Sequence, residues 1–404
     1  MDVSAETVIA IFGKRGSGKS YTLGVIAESL CARDRDSAIG RSRGTKGAVL
    51  FDTLNIFWSL ECPLDERAQF LEERRRLEAW GIKSVPLDID VWIPAGFRRP
   101  HTPERYRELS IAPSELSDDD LADLLEVDAQ RDLVGQLLTE ARAKAAEHNR
   151  DWNFGELLRI IEADLEMHEY YSDATIRAAR QRVRSFSRLP LFDTGTALGE
   201  LIVRGRLSVI ELGEVPNSLR AVICAVLLRR IHSARAEAAD AEKQLALNTR
   251  LTEHERSRLE EFVAKALPPC WVLIDEAQNI LPASRDVKSS DAVVRFVREG
   301  RNFGLSFALT TQQPSAVDQR ILAQADTIIC HRLTVAQDIA RMRDNLKSAE
   351  PMEVKLGGAK LDLAAWLRSL DPGCAIISNS EFDRAFSLEV RPRVTPHGGT
   401  GFIS

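Results

Sequence analysis

The sequence predicts an α/β fold: a parallel-rich central sheet, an inserted α-helical bundle and a terminal β-hairpin. Three observations predict it. Short apolar runs alternate with helical segments at both ends of the chain, and strand, helix, strand in that order favours parallel pairing. Residues 114–188 contain almost no strand-like sequence. Two alternating segments near the C-terminus, 374–378 and 385–390, are placed to pair as a hairpin.

The first strand is expected at 8–12, ended by glycine-rich sequence, with a helix from Lys19 to about Arg33. Further strands are expected at 47–51, ending in Asp52, and at 85–93, with a charged helix at 64–80 between them. In the helical stretch Ser117 precedes three aspartates, an N-cap followed by acids that suit the helix dipole. Strand character resumes at 207–212, followed by a helix over 218–239 and a polar helical projection with a loop near Asn248. Pro268 and Pro269 stop that projection before a strand at 271–274. Strands at 305–311 and 327–332 follow, with helices near 290–301, 317–325 and 335–346. The expected domains are 1–100, the first part of the core; 101–190, the helical insertion; and 191–404, the second part, including the projection 236–267.

At 44% hydrophobic and 28% charged residues, the chain can build a full core, which excludes a disordered tail or a disulfide miniprotein. The net charge of −6 argues against a wholesale nucleic-acid coat but leaves room for a local basic channel. The six cysteines include no CxxC pair, so neither a zinc site nor a disulfide framework is expected, and a reducing cytoplasm fits. No apolar run reaches the roughly 18 residues of a membrane span, and the expectation is a soluble cytoplasmic protein without membrane contact.

Gly13-Lys-Arg-Gly-Ser-Gly-Lys-Ser20 fits GxxxxGK[ST] between an apolar strand and a helix. Glycines let successive backbone N–H groups turn into one concavity, and the helix start adds its positive dipole end. Gly13, Gly16, Ser17 and Gly18 form the cradle; Lys19 reaches the β- and γ-phosphates, and Ser20 holds Mg²⁺. ATP and Mg²⁺ are the expected ligands. With only 11 lysines in the chain, Lys19 stands out in this setting. The strand at 271–274 runs into Asp275 and Glu276. Asp275 is expected to complete the Mg²⁺ shell and Glu276 to activate the attacking water. Immediate succession of the two acids suggests an ATP hydrolase, and no NKxD guanine-reading motif or LSGGQ signature occurs.

Thr310-Thr-Gln-Gln-Pro314 ends a strand expected beside the one carrying Asp275. Gln312 is the candidate γ-phosphate sensor, with Thr311 second. Arg298 and Arg301 stand near a helix end. Arginine suits a finger reaching a neighbouring subunit's phosphates, but it also complements a helix C-terminus. Arg301 is the first candidate; Arg332, at a strand end, is the second and a possible nucleotide contact. Five arginines at 177, 180, 182, 184 and 188, with Phe186 among them, read equally as a phosphate-contacting patch or as an ion-paired helix face.

Together the segments 13–20, 50–57, 207–231, 272–282 and 298–318 resemble the HerA branch of the HerA/FtsK motor ATPases, with 325–333 and 395–399 matching in style. The resemblance implies a RecA-like core assembled into a homo-hexameric ring around double-stranded DNA, acting as a translocase or helicase. It also implies a partner nuclease or other effector in DNA processing or antiphage defence. By motif it assigns Lys19 and Ser20 to nucleotide and metal, Asp275 and Glu276 to hydrolysis, Gln312 to sensing and Arg301 to the trans-acting finger. Proteins of this branch typically begin with a small β-barrel; here the phosphate loop starts at Gly13, and a divergent member lacking that barrel is expected. Asn55 stands where the family places an acid after the second strand. A different function is also open: an ATP-gated hexameric scaffold that activates a partner enzyme without moving along DNA.

Overall fold

The computed structural model describes residues 5–31, 44–283, 290–346, 354–356, 359–379 and 384–399. Its strands are β1 (Val8–Phe12), β2 (Gly47–Asp52), β3 (Ile89–Pro94), β4 (Arg107–Leu109), β5 (Leu207–Glu211), β6 (Cys270–Ile274), β7 (Leu305–Thr311), β8 (Thr327–Cys330), β9 (Val354–Leu356), β10 (Ala359–Leu361), β11 (Cys374–Asn379) and β12 (Arg384–Glu389). Ten of them form one sheet in the order β12-β11-β8-β1-β7-β6-β2-β5-β3-β4. All neighbours from β8 to β4 are parallel. The hairpin β11–β12 joins antiparallel at the β8 edge, and β9 and β10 pair separately.

The helices are α1 (Lys19–Cys31), α2 (Leu71–Ala79), α3 (Asp118–Leu125), α4 (Leu133–His148), α5 (Phe154–Ala163), α6 (Leu165–Tyr170), α7 (Asp173–Phe186), α8 (Leu198–Leu201), α9 (Asn217–Leu247), α10 (Glu253–Lys265), α11 (Ser290–Glu299), α12 (Gln319–Leu322), α13 (Ala336–Asn345) and α14 (Leu363–Ser369). No helix among the described residues is long and apolar enough to cross a membrane.

Parallel strands need crossovers, so both sheet faces are covered and the strands read as unbroken apolar runs. In β1, Val8, Ala10 and Phe12 join the core beneath α9 and α11, while Ile9 and Ile11 join the core beneath α1. The first half of α9 is buried almost all round, from Val222 to Leu228. It lies between the sheet and the insertion helices, which explains the lack of a polar face there.

Several local expectations meet their physical reason. Ser117 caps α3 in a reciprocal box with Asp120: the Asp120 N–H donates to Ser117 Oγ, and Asp120 Oδ2 accepts from Ser117 N at 2.8 Å. The projection breaks near Asn248 as expected, but the helix expected over 218–239 is longer, because α9 runs unbroken to Leu247 before α10 follows. The strand expected at 85–93 is shorter and shifted, starting at Ile89. The segment assigned to the insertion, 101–190, carries a sheet strand, β4, before its helices begin. The expected extension of α1 to Arg33 lies outside the described residues.

The arginine cluster on α7 is an ion-paired face. Arg180 and Arg184 both reach Glu162, at 3.5 and 3.0 Å, and Arg182 faces Asp132 at 3.8 Å. Phe186 packs edge-on against Phe192 with ring centroids 6.3 Å apart. These contacts knit the insertion together, and they favour the structural of the two sequence readings.

Candidate active site

β1, β6 and β7 sit side by side, and their C-terminal ends deliver the loop 13–18, the acids 275–276 and the polar run 310–313 to one rim. This is where open α/β sheets place ligands. Gly16 and Gly18 hold φ of +73° and +110°, conformations that glycine adopts freely. A Cβ on Gly13 would fall 2.4 Å from Ser17 Oγ and 2.8 Å from His331 Cβ. The loop is closed internally: Ser17 Oγ donates to the Lys14 carbonyl at 2.7 Å, and the Lys14 N–H donates to the Arg332 carbonyl at 2.8 Å.

Lys19 and Ser20 begin α1 and point toward the acids. Lys19 Nζ lies 3.6 Å from Glu276 Oε1 and 3.3 Å from the Lys14 carbonyl. Burial lowers its pKa, against the opposing charges of Glu276 and Asp275. Ser20 Oγ donates to Asp275 Oδ1 at 3.0 Å, and Thr310 Oγ1 donates to the same oxygen at 2.7 Å. The other oxygen, Asp275 Oδ2, is buried and has no protein partner. Burial pushes the Asp275 carboxyl up to about 7, with Asp52 and Glu276 adding to the rise. A buried carboxylate with one unpartnered oxygen beside a serine hydroxyl is a fitting donor set for Mg²⁺, a hard cation that takes oxygen ligands and keeps its waters. The predicted nucleotide and metal residues therefore fit the groups assigned to them.

Glu276 has a left-handed backbone, φ 51°, uncommon for a residue with a side chain. The turn is pinned by its N–H, which donates to Thr310 Oγ1 at 2.9 Å. Its carboxylate is held on both sides: Gln312 Nε2 donates to Oε1 at 2.6 Å and Gln278 Nε2 to Oε2 at 2.7 Å. Gln278 is oriented in turn by Thr311 Oγ1, which donates to Gln278 Oε1 at 2.7 Å. The group expected to act as base and the group expected to sense phosphate are thus hydrogen-bonded to each other.

Three participants escaped the sequence reading: Gln278, Thr310 and Asp52. Asp52 lies next to Asp275 across the β2–β6 pair, fully buried. It accepts the N–H groups of Leu54, Ile56 and Phe57 at 3.1, 2.7 and 2.7 Å. Burial raises its pKa to about 7 despite those bonds. The acid at the end of the second strand is therefore present at Asp52, while Asn55 accepts the Gly213 N–H at 2.8 Å from a left-handed turn. A strand-ending aspartate followed by a tight loop was the available signal.

Arg301 and Arg332 are not brought to these acids. Arg301 precedes β7 and ion-pairs with Asp326, just ahead of β8. It sits at the opposite, N-terminal end of the strands, about 20 Å from its own phosphate loop along a seven-residue strand. Arg298 pairs with Glu299 at 2.8 Å. Arg332 meets the loop through its carbonyl, and its Nε is buried without a protein partner.

His331 braces the loop from below. Its Nδ1–H donates to the Cys374 carbonyl at 2.9 Å, which leaves Nε2 to accept from Thr22 Oγ1 at 2.8 Å. Burial lowers its pKa to about 4, with the Lys19 charge adding and the Cys374 bond opposing. The unfolded imidazole takes up a proton near 6.5, so this contribution to stability is complete above that pH and is lost as pH falls toward 4. Asp52 and Asp275, raised to about 7, act in the opposite sense over the same range, so the contribution is read as the difference between wild type and His331→Gln in urea unfolding from pH 7 to 4.5. That difference should shrink as pH falls, by up to one proton's worth of slope; parallel pH profiles would mean that the imidazole is not held neutral.

A family model described as "Helicase HerA, central domain" matches residues 3–231, and the model of the zonular occludens toxin family matches 219–355. The DNA double-strand break repair helicase HerA of Pyrococcus furiosus is 28% identical over 41% of this chain and 31% of its own length. A probable helicase of Methanocaldococcus jannaschii is 24% identical over 65% of this chain and 47% of its own. The chain thus spans about half or less of these curated relatives. Among solved structures, VirB4 of Thermoanaerobacter pseudethanolicus is similar with a TM-score of 0.54 at 11% identity, covering 95% of this chain and 88% of that one. The plasmid coupling protein TrwB in complex with ADP and Mg²⁺ is similar with a TM-score of 0.54 at 12% identity, covering 98% and 91%. The likeness to these solved structures shows a RecA-like P-loop fold. With its phosphate loop, paired acids and polar strand end in place, and with the central-domain model matching more than half of its length, the chain belongs to the HerA family.

Proposed function

We propose that this chain is an ATP-hydrolysing motor that moves along double-stranded DNA as a homo-hexameric ring, working with a partner nuclease or defence effector. The observation that carries the reading is the joining of Lys19, Ser20, Asp275, Glu276 and Gln312 in one hydrogen-bonded set. Membership of the HerA family supports the DNA substrate.

The loop amides 13–18 and the start of α1 would hold the phosphates, and Lys19 would offset their charge. Mg²⁺ at Ser20 and Asp275 would neutralise charge on the β- and γ-oxygens. Glu276, fixed by Gln278 and Gln312, would take the proton of the attacking water. Because Gln312 also holds Glu276, replacement of γ-phosphate contacts on hydrolysis would be passed directly to β7. Arg301 is too far to serve its own site, so any finger role falls to a neighbouring subunit's nucleotide. Mixtures of wild-type and Arg301→Ala chains should then lose ATP turnover out of proportion to the variant fraction, and a linear loss would remove Arg301 from that role.

Movement is tested by displacement of a third strand from a triplex by the purified protein with ATP. ATP-dependent displacement, absent from Lys19→Ala, is expected. Turnover without displacement would instead favour the ATP-gated scaffold.

A further inference from the structure

Beside the phosphate loop lies a second feature that the hydrolytic set does not use. A cavity of about 410 Å³ starts at Gly16 and Gly18 and continues past Tyr21, the residue after Ser20. Its far walls come from three distant segments: Arg76 with Trp80 at the end of α2, Pro372 with Gly373 ahead of β11, and Pro392 with His397 in the C-terminal segment. The size falls within the usual range of small-molecule sites, and the walls carry the rings of Tyr21, Trp80 and His397 together with the charged Arg76 and Glu389.

This cavity is built, not an accident of loose loops. The Gly373 turn abuts the loop: a Cβ on Gly18 would lie 3.5 Å from Gly373 N. The C-terminal segment is fixed on α1, where Tyr21 Oη accepts the Arg393 N–H at 2.7 Å and the Tyr21 ring meets His397 edge-on with centroids 5.8 Å apart. The Arg393 guanidinium lies so close to Gly24 that a Cβ there would fall 2.9 Å from it. Burial, with the Arg393 charge adding, lowers the His397 pKa to about 4, so its ring faces the cavity uncharged. Trp80, by contrast, is 48% exposed, a large indole among the residues lining the cavity.

We propose that this cavity is the nucleoside subsite, and that Trp80 stacks on the base while Tyr21, His397 and Pro372 complete its walls. The inference rests on the reading of 13–20 as the nucleotide's phosphate cradle. A phosphate chain held by the amides of that loop leaves its nucleoside in the space contiguous with Gly16 and Gly18, and this cavity is that space. The outer wall is supplied by α2 and by the C-terminal segment, so base recognition depends on residues more than 300 positions apart in the sequence.

The test compares ADP with tripolyphosphate, each with Mg²⁺, by titration calorimetry on wild type and on Trp80→Ala. The exposed indole makes that variant safe for folding. Loss of one stacked ring should weaken ADP binding on the order of 10-fold, while tripolyphosphate, which lacks a base, keeps its affinity. Indole emission of the wild type should change on adding ADP and not on adding tripolyphosphate. Equal ADP affinity in wild type and Trp80→Ala, or an equal loss for both ligands, would overturn the subsite while leaving the phosphate cradle intact. Failure of the wild type to bind either ligand would overturn the cradle itself, and the subsite with it.

Discussion

Glu276→Gln is expected to lower ATP turnover by about 10²- to 10⁴-fold, the range that general-base catalysis contributes, while nucleotide still binds. The substitution keeps the shape of the side chain and removes its ability to take a proton. It also disturbs the hydrogen bonding, because two amide donors converge on that carboxylate, from Gln312 at 2.6 Å and Gln278 at 2.7 Å. Gln278 cannot simply turn round, since Thr311 Oγ1 donates to its oxygen. The new amide would therefore keep its oxygen toward Gln278, and Gln312 would have to turn its own oxygen to accept from the new N–H₂. Asp275 and Ser20 are untouched and Lys19 loses only its 3.6 Å ion pair with Glu276, so ADP affinity should stay within a few-fold of wild type. Steady-state phosphate release and ADP titration on the same preparation check both halves. Retained turnover would remove Glu276 from the role of base.

Glu28→Ala is expected to destabilise the fold by about 3–5 kcal/mol, the usual result of leaving buried charges without their partner. Glu28 is fully buried in α1 and gathers five donors from the C-terminal segment. Its Oε1 accepts from Arg393 Nε at 3.3 Å and from the Thr395 N–H and hydroxyl at 3.1 and 2.8 Å. Its Oε2 accepts from Arg391 Nη1 at 3.0 Å and from the Val394 N–H at 3.2 Å. Without it, Arg393, 1% exposed, and Arg391, 10% exposed, keep their charges in a site made for an anion. The segment should loosen together with its bonds to Ser59 and Ser84. Urea unfolding gives the energy, and limited proteolysis near residue 390 gives the release. A cost below about 1 kcal/mol would show that the segment is held by other contacts.

What the sequence made legible follows from distance along the chain. The loop 13–20 is a local device, so its residues announce both its shape and its chemistry. The strands β1, β6 and β7 are buried on both faces and appear as plain apolar runs ending in polar residues. The acids 275 and 276 are adjacent, and so is the pairing of their roles. Gln312 was reachable because it ends a strand expected beside β6.

Other parts were hidden for a physical reason. Thr310 and Gln278 act through partners on neighbouring strands, and a threonine in a strand looks the same whether or not it holds a carboxylate. Asp52 was visible only as a strand end, because its three bonds go to backbone N–H groups. Glu28 sits among the apolar residues of α1, and its partners lie more than 360 residues away. The α7 arginines point the other way: basic spacing suggested phosphate contacts, while Glu162 and Asp132, on other elements, account for three of them.

The central claim is that one hydrogen-bonded set of side chains hydrolyses ATP and that duplex DNA is what the hydrolysis acts upon. Steady-state phosphate release from ATP and Mg²⁺, measured with and without long duplex DNA, tests it most directly. The account predicts turnover that rises several-fold on adding duplex. Turnover that duplex DNA leaves unchanged, or no turnover at all, would contradict it.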